Sequence, residues 1–250
     1  MSPRLAFALD AAVQAGRSTL AHFQNGVQFE AKADDTPVTV ADKYAERMLR
    51  ELINKHYPGE AILGEEEGMT GVGDDRWVID PIDGTKSFIC GVPLYATLLS
   101  YEVAGEPIIG ACYFPALDDL LFAEKGGGAF WNGRPTRVSE KTSLKGAVIA
   151  SSGYLGLTKR GLLDGYLKMV EQCMAARTWC DAYGHALVAT GRVDMMIDAT
   201  VSRWDISSVA LIVREAGGRF TDLQGKEQLD DNALSTNAIL HDEIVEVLNS

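Results

Sequence analysis

Trp77-Val78-Ile79-Asp80-Pro81-Ile82-Asp83-Gly84-Thr85 runs an apolar strand directly into two carboxylates, a glycine and a threonine. Pro81 has no N–H to give to a ladder, so the strand is expected to end at Asp80. Gly84-Thr85 then opens a turn or helix whose free N–H groups face the same space. Carboxylate oxygens and amide donors meet there, which is how a divalent metal and a phosphate are held side by side.

On either side of this turn the hydrophobic rhythm differs. Leu5, Leu9, Ala12, Val13, Leu20 and Phe23 recur at helical spacing and predict a long amphipathic helix over 5–23. A second helix is expected over 39–56, with Tyr44, Met48, Leu49, Leu52 and Ile53 as its buried stripe. Strands follow at 61–63, 76–79, 96–103, 107–113 and 120–124, with a hairpin turn at Asn132-Gly133. After Lys145 the pattern alternates: a strand at 147–151, helices at 159–174 and 183–190, a strand at 193–197 and a helix at 205–215. Residues 1–144 therefore read as helices on an antiparallel sheet and 145–250 as an α/β half. No flexible linker or repeat separates them, so a single domain over 1–250 is expected, with functional groups meeting in the crevice between the halves.

The 250-residue chain is 46% apolar, enough for a sizeable core. Its net charge of -12 opposes binding to nucleic acid or to an anionic membrane, and an anionic substrate needs cations to be welcome. Cys90, Cys112, Cys173 and Cys180 show no C-x-x-C spacing, which fits reduced thiols in a cytoplasmic protein. No apolar run approaches the roughly 20 residues of a membrane span.

Glu65, Asp80, Asp83 and Asp205 each stand at the end of an expected element. Taken alone, Asp205 could complement a helix dipole and Glu65 could be one of three solvated acids in Glu65-Glu66-Glu67. Asp80 and Asp83 are harder to treat that way. Two like charges about 4 Å apart repel by roughly 4 kcal/mol at an effective dielectric of 20 unless a cation neutralises them. Oxygen donors without His or Cys favour Mg²⁺, then Mn²⁺ or Ca²⁺, over zinc. The other Asp-based phosphatase chemistry, with an aspartyl nucleophile, spaces its two aspartates two apart, whereas these are three apart around a proline.

Gly64-Glu65-Glu66, the Asp80–Asp83 turn continuing to Thr85, and Trp204-Asp205-Ile206-Ser207-Ser208 followed by Glu215-Ala216-Gly217-Gly218 together resemble the inositol monophosphatase family of Mg²⁺-dependent phosphatases, over nearly the whole chain. The resemblance implies a layered αβαβα sandwich of the α/β (α+β) class and a homodimer inhibited by lithium. Carried over position by position, it implies that Glu65, Asp80, Asp83, Asp205 and the carbonyl of Ile82 hold two or three Mg²⁺ ions. Asp42 and Thr85 match the pair that helps orient the attacking water, with Glu65 beside them, and the N–H groups of Gly84 and Thr85 would hold phosphate oxygens. Asp42 also lies three residues after Thr39, where it would close a capping box. The substrate implied is a small phosphate monoester.

Which ester turns on Arg177-Thr178-Trp179-Cys180-Asp181-Ala182-Tyr183-Gly184-His185. This stretch, together with Asp83-Gly84-Thr85-Lys86-Ser87-Phe88-Ile89 and the following Gly91 and Pro93, resembles the histidinol-phosphate phosphatase branch of the family. Asp181, Asp198 and Arg177 are the substrate-contact candidates. Carboxylates suit an alcohol carrying an ammonium and an imidazole, whereas a neutral polyol needs no such charge. Asp181 could instead be the N-cap of the next helix. Cys180 stands where the family usually has glycine.

Tyr183 and His185 read as buried structural residues, and Trp204 as packing beneath Asp205 with Ile206, Val209, Ala210 and Val213 behind it. Lys32, in the polar stretch before the second helix, matches a loop near the family's metal site. Gly126-Gly127-Gly128 reads as a tight hairpin, since no phosphate-binding helix follows it. The expected function is thus Mg²⁺-dependent hydrolysis of histidinol phosphate. An inositol or sugar phosphatase of the same fold is the next reading, and a bisphosphate-nucleotide phosphatase is disfavoured for want of a basic pocket. A non-catalytic metal-binding regulatory module is the reading of another class, and it would not need Thr85 and Asp42.

Overall fold

Leu98 and Leu99 are neighbours in sequence and belong to different cores. Leu98 packs with Cys112, Ile206 and Val209, and Leu99 with Leu5, Ala8 and Ala111. This is strand alternation in a sheet covered on both faces, where even and odd positions serve separate layers.

A computed structural model describes residues 1–26, 28–31 and 37–250. The helices are α1 (Pro3–Thr19), α2 (Val40–His56), α3 (Thr85–Ile89), α4 (Tyr154–Lys159), α5 (Leu163–Val170), α6 (Asp181–Ala189), α7 (Arg203–Glu215) and α8 (His241–Leu248). The strands are β1 (Phe29–Ala31), β2 (Pro37–Thr39), β3 (Ala61–Gly64), β4 (Gly68–Thr70), β5 (Arg76–Asp83), β6 (Ala96–Val103), β7 (Glu106–Phe114) and β8 (Asp119–Glu124). After these come β9 (Ala129–Trp131), β10 (Arg134–Thr136), β11 (Val148–Ser151), β12 (Ala175–Arg177), β13 (Met195–Asp198), β14 (Arg219–Thr221) and β15 (Ala233–Thr236). The large sheet has the order β10-β9-β8-β7-β6-β5-β3-β4 and is antiparallel except where β3 runs parallel to β5. The smaller sheet, β12-β11-β13-β15-β14, has parallel β12, β11 and β13 and antiparallel β15 and β14. β1 and β2 form a separate antiparallel pair.

α1 and α2 cover one face of the large sheet, α6 and α7 fill the space between the two sheets, and α4, α5 and α8 cover the far face of the small one. The layers run αβαβα, as expected. In the central layer Ile206, Val209, Ala210 and Val213 of α7 share one core with Leu98, Phe114 and Leu121 of the large sheet and Phe220 and Met196 of the small one. Among the described residues no helix is long and apolar enough to cross a membrane.

Several expectations about the elements need correction. α1 stops at Thr19 and buries its small face (Ala8, Ala11, Ala12, Ala15, Gly16), leaving Leu20 39% exposed. Close approach selects this face: a Cβ on Gly16 would lie 2.6 Å from the Tyr113 ring. In α2 the expected Leu49 and Ile53 are buried and Met48 and Leu52 pack half-buried on the same core, but the buried face extends to one side of that stripe. Ala41, Ala45, Leu49 and Ile53 are buried along with Glu46 and Arg50, whereas Tyr44 is exposed. Charges can face inward there because they pair with each other, with Arg50 Nε donating to Glu46 Oε1 at 2.9 Å.

The helix expected over 159–174 is shortened to α5, and a separate helix that was not expected, α4, ends before it at Lys159. Gly161 adopts φ +72, and Leu162 N–H reaches back to the Leu157 carbonyl at 2.9 Å, closing a Schellman motif over two buried leucines. Finally, β5 does not end before Pro81 but continues to Asp83 through a register shift against β6. Its pairing with β3 has already ended at Ile79, so on that flank Pro81 forfeits no ladder bond, and its carbonyl accepts from Thr97 Oγ1 at 2.8 Å.

Candidate metal and phosphate site

The irregular end of β5 and the first turns of α2, α3, α6 and α7 converge on one crevice. Asp80, Asp83 and Asp205 each place a carboxylate oxygen there, and these oxygens lie within 4.8 Å of one another. Glu65, Ile82, Gly84, Thr85 and Asp181 line the same cleft, joined by Pro37 and Lys86. Residues from both halves of the chain thus line one cleft. Lys32 and its neighbours through Thr36 lie outside the described residues.

Each acid is held by a local device. Asp80 Oδ1 accepts the Ile82 N–H at 3.0 Å, folding the carboxylate back over the Pro81 turn. Asp205 closes a capping box, its Oδ2 accepting the Ser202 N–H at 2.7 Å, so its helix-terminal role and its place in the cluster coexist. Asp42 does the same for α2, its Oδ2 accepting from Thr39 N–H at 2.8 Å and Thr39 Oγ1 at 2.6 Å. Its other oxygen, Oδ1, accepts from the Thr85 hydroxyl at 3.4 Å, and that hydroxyl also approaches the Ile82 carbonyl at 3.1 Å. Gly84 precedes Thr85 with φ +78, a conformation glycine adopts without strain.

Burial and mutual repulsion dominate the electrostatics. Burial pushes Asp80 and Asp83 well above the usual carboxylate range, with repulsion from Glu65 acting next on Asp80 and from Asp181 on Asp83. Asp205 is pushed up to about 7, chiefly by burial, and Asp42 to about 6 for the same first reason. Such a set of buried carboxylates with oxygen donors alone fits a hard divalent cation, which would favour the charged forms that burial opposes.

A wider cavity of about 450 Å³ is lined by Asp83, Asp181, Asp198 and Asp205 together with residues of α4, Lys159 among them. Asp181 is not the N-cap of α6. Cys180 holds that position, Asp181 adopts φ +58, and the Ala182 N–H donates to Asp83 Oδ2 at 2.8 Å. The Asp181 carboxyl is pushed up to about 6, first by burial and then by Asp198. Cys180 lines the cavity with its thiol pushed up to about 12 by burial and the neighbouring Asp181, which makes it a poor nucleophile. Arg177 is not among the residues lining either cavity. It is exposed on β12, and its guanidinium donates to the Ala176 carbonyl at 2.8 Å. Tyr183 meets Phe114 edge-on in the core, and His185 is buried between Asp198 and Ser235. Trp204 is half-buried at the start of α7.

Sequence reasoning did not find the groups that hold these loops. Glu46, fully buried, accepts the N–H groups of Glu66 at 2.8 Å and Glu67 at 2.9 Å, fixing the segment that carries Glu65. Gly64 makes room for it, since a Cβ there would lie 2.3 Å from Glu46 Oε1. The signal was an i,i+4 Glu46/Arg50 pair inside a buried stripe. Glu102 on β6 accepts from Arg203 Nε and from Ser207 Oγ, both at 2.7 Å, tying the first turn of α7 to the large sheet. The Gly126-Gly127-Gly128 segment does join β8 to β9, and the Glu215 carboxylate accepts the N–H groups of Gly126 and Gly128 at 2.8 Å each.

Comparison with known proteins bears on this geometry. The chain is 41% identical to a histidinol-phosphatase of Chlorobaculum parvum, with 96% of each chain covered. It is 39% identical to a histidinol-phosphatase of Streptomyces coelicolor, covering 89% of this chain and 88% of that one. A solved Thermotoga maritima IMPase superposes with a TM-score of 0.91 at 36% identity, covering 99% of this chain and 97% of that one. The sequence profile described as inositol monophosphatase family matches residues 1–249. On these grounds the chain belongs to the inositol monophosphatase family.

Proposed function

We propose that this chain is a Mg²⁺-dependent phosphate monoester hydrolase acting on histidinol phosphate, releasing histidinol and inorganic phosphate. The observation that carries the reading is the joint position of two features. The acid cluster of Asp80, Asp83 and Asp205 shares its cleft with Thr85, whose hydroxyl donates to Asp42, and two of its members, Asp83 and Asp205, also line the wider cavity that holds Asp181 and Asp198. The names of the relatives point to the same ester.

Glu65, Asp80, Asp83, Asp205 and the Ile82 carbonyl would hold two or three Mg²⁺ ions. Bound there, the metal supplies Lewis acidity, acidifying water and offsetting charge on the phosphate and the leaving oxygen. The Thr85 hydroxyl, poised between Asp42 Oδ1 and the Ile82 carbonyl, orients a water for in-line attack, and Glu65 assists in placing it. The N–H groups of Gly84 and Thr85 receive phosphate oxygens at the turn. Asp181 and Asp198 meet the departing alcohol and favour one bearing positive charge. A phosphate-ester substrate, a homodimer and a cytoplasmic setting complete the proposal.

A second reading, hydrolysis of inositol monophosphate or sugar phosphates, draws on Lys86 and Lys159, which border the wide cavity and suit a more anionic substrate. A purely metal-binding regulatory module leaves the Asp42/Thr85 pair without a purpose. Turnover of L-histidinol phosphate, inositol-1-phosphate and fructose-1,6-bisphosphate, each with and without Mg²⁺, separates these readings. We expect Mg²⁺-dependent turnover with a preference for histidinol phosphate. Preference for a polyol ester would overturn the substrate, and absence of any Mg²⁺-dependent turnover would overturn the enzyme.

A further inference from the structure

The cavity-lining carboxylate of Asp198 is held by an imidazole that has no role in the chemistry described so far. His185 lies on α6 and is 1% exposed. Its Nε2 lies 3.0 Å from Asp198 Oδ2 and its Nδ1 lies 2.7 Å from Ser235 Oγ on β15. The ring also packs 5.2 Å from that of Phe220. Asp198 is buried, and among the described residues its other oxygen, Oδ1, has no hydrogen-bond partner, while the residue borders the wide cavity.

Proton placement follows from donor and acceptor chemistry. An ionised carboxylate only accepts, so Nε2 must carry a proton toward Asp198. In the neutral ring Nδ1 then accepts from the Ser235 hydroxyl, which can rotate to donate. This arrangement leaves no polar atom of the three residues competing for Oδ1. The carboxylate is thereby clamped through one oxygen with the other free for a ligand. A merely structural histidine in an apolar helix could be satisfied by Ser235 and a backbone carbonyl. This one is instead joined to an acid that faces the substrate cavity, across from Asp181 and in a space also bordered by Lys86 and Lys159.

We propose that His185 is a positioning residue for substrate selection: through its Nε2–H it fixes Asp198 so that Oδ1 receives a cationic group on the leaving alcohol, and Ser235 sets the tautomer. The inference rests on the assignment of Asp198 to the leaving-alcohol side made under the proposed function. It explains how the cavity can favour a cationic alcohol over a neutral polyol although two lysines border it. Lost clamping lets Asp198 rotate toward Lys86 or Lys159, and the charge discrimination falls.

The test uses the full chain with Mg²⁺ and compares kcat and KM for L-histidinol phosphate and inositol-1-phosphate in the wild type, His185→Gln, His185→Leu and Ser235→Ala. His185→Leu is expected to lower the ratio of kcat/KM for the cationic over the neutral ester about tenfold or more, mainly through KM, as loss of a charge-assisted hydrogen bond implies. His185→Gln, whose amide can still donate to Asp198, should recover most of the ratio. Nitrogen-15 NMR of histidine-labelled wild type should show His185 protonated at Nε2, a readout that stands even where His185→Leu does not fold. A ratio unchanged in folded His185→Leu, or a ring protonated at Nδ1 alone, overturns the inference. A wild type with no preference for the cationic ester removes the substrate reading itself and this role with it. A wild-type preference that survives in His185→Leu removes only this role.

Discussion

Asp83 Oδ2 accepts the backbone N–H of Ala182 at 2.8 Å, and so one acid of the Asp80/Asp83/Asp205 cluster also caps a helix belonging to the other half of the chain. α6 starts with no side-chain cap from its own N-terminal residue, Cys180, and Asp181 lies in the left-handed region with φ +58. The Ala182 N–H is one of the orphan donors every helix start exposes, and Asp83 supplies its acceptor. The acid cluster and the wide cavity are therefore mechanically joined at one residue.

Asp83→Asn separates the two duties. The amide oxygen can still accept from Ala182, whereas the charge needed for a divalent cation is gone. Because burial and repulsion push the Asp83 carboxyl well up, the substitution also removes an unfavourable charge from the metal-free protein. We expect Asp83→Asn without Mg²⁺ to melt at or above the wild-type temperature at pH 8, with Mg²⁺-dependent turnover reduced below about 1%. Asp83→Ala relieves the same repulsion but leaves the Ala182 N–H without its acceptor, and should be less stable than Asp83→Asn by about 1–3 kcal/mol. Equal stability of the two variants in urea titrations would refute the capping role.

Metal-free stability should depend on pH in a defined direction. Asp205 is pushed up to about 7 and Asp42 and Asp181 to about 6, in each case first by burial. An acid whose folded pKa exceeds its unfolded value stabilises the fold while protonated. That contribution is complete below about pH 4 and is lost as pH rises through 6 to 7. Mg²⁺ favours the ionised forms, so its stabilising effect should grow over the same window. Melting temperatures in EDTA and in excess Mg²⁺ should diverge more at pH 8 than at pH 5. A Mg²⁺ shift larger at pH 5 would contradict the assignment of these acids.

Thr85 touches both Asp42 and the Ile82 carbonyl through one hydroxyl. Thr85→Ala should lower kcat on the order of 100-fold or more while KM moves little, because orientation of the attacking water is a transition-state contribution. Thr85→Ser, which keeps the hydroxyl, should retain most of the rate. Circular dichroism of both variants controls for folding. A fall in the serine variant as large as in the alanine variant would assign Thr85 to packing.

The order of elements and the acids that gather as Asp80, Asp83 and Asp205 stand out in the sequence because both rest on local signals. The Asp80-to-Thr85 turn, the helix start at Thr39 and the strand runs of β6 and β7 announce themselves within a few residues. What was hidden depends on partners far along the chain. The charged part of α2's buried face could not be told from its apolar residues, since Glu46 and Arg50 turn inward only because the backbone of residues 66–68 is there to receive them. Continuation of β5 past Pro81 likewise depends on β3 ending first. A helix-cap role stayed open for Asp181 beside a substrate contact because the acceptor actually used at that helix start, Asp83, lies 99 residues from Ala182.

Glu102 offers the strongest test of how the two halves are held in register at the site. Its carboxylate is fully buried and receives Arg203 Nε at 2.7 Å, Ser207 Oγ at 2.7 Å and Arg76 Nε at 3.0 Å. Ser100 Oγ donates in turn to Ser207 Oγ at 2.7 Å, and Arg203 also donates to the Gly105 carbonyl. Arg203 and Ser207 flank Asp205 on the first turns of α7, so this network decides where the acid sits relative to Asp80 and Asp83. Removing one member of a buried ion pair strands the others, and Glu102→Ala should cost about 3 kcal/mol or more in urea unfolding. Mg²⁺ affinity, measured by calorimetry on the folded variant, should weaken as well, although Glu102 is not itself a ligand candidate. Loss of stability with unchanged Mg²⁺ affinity would mean that the capping box from Ser202 alone is enough to hold Asp205 in place.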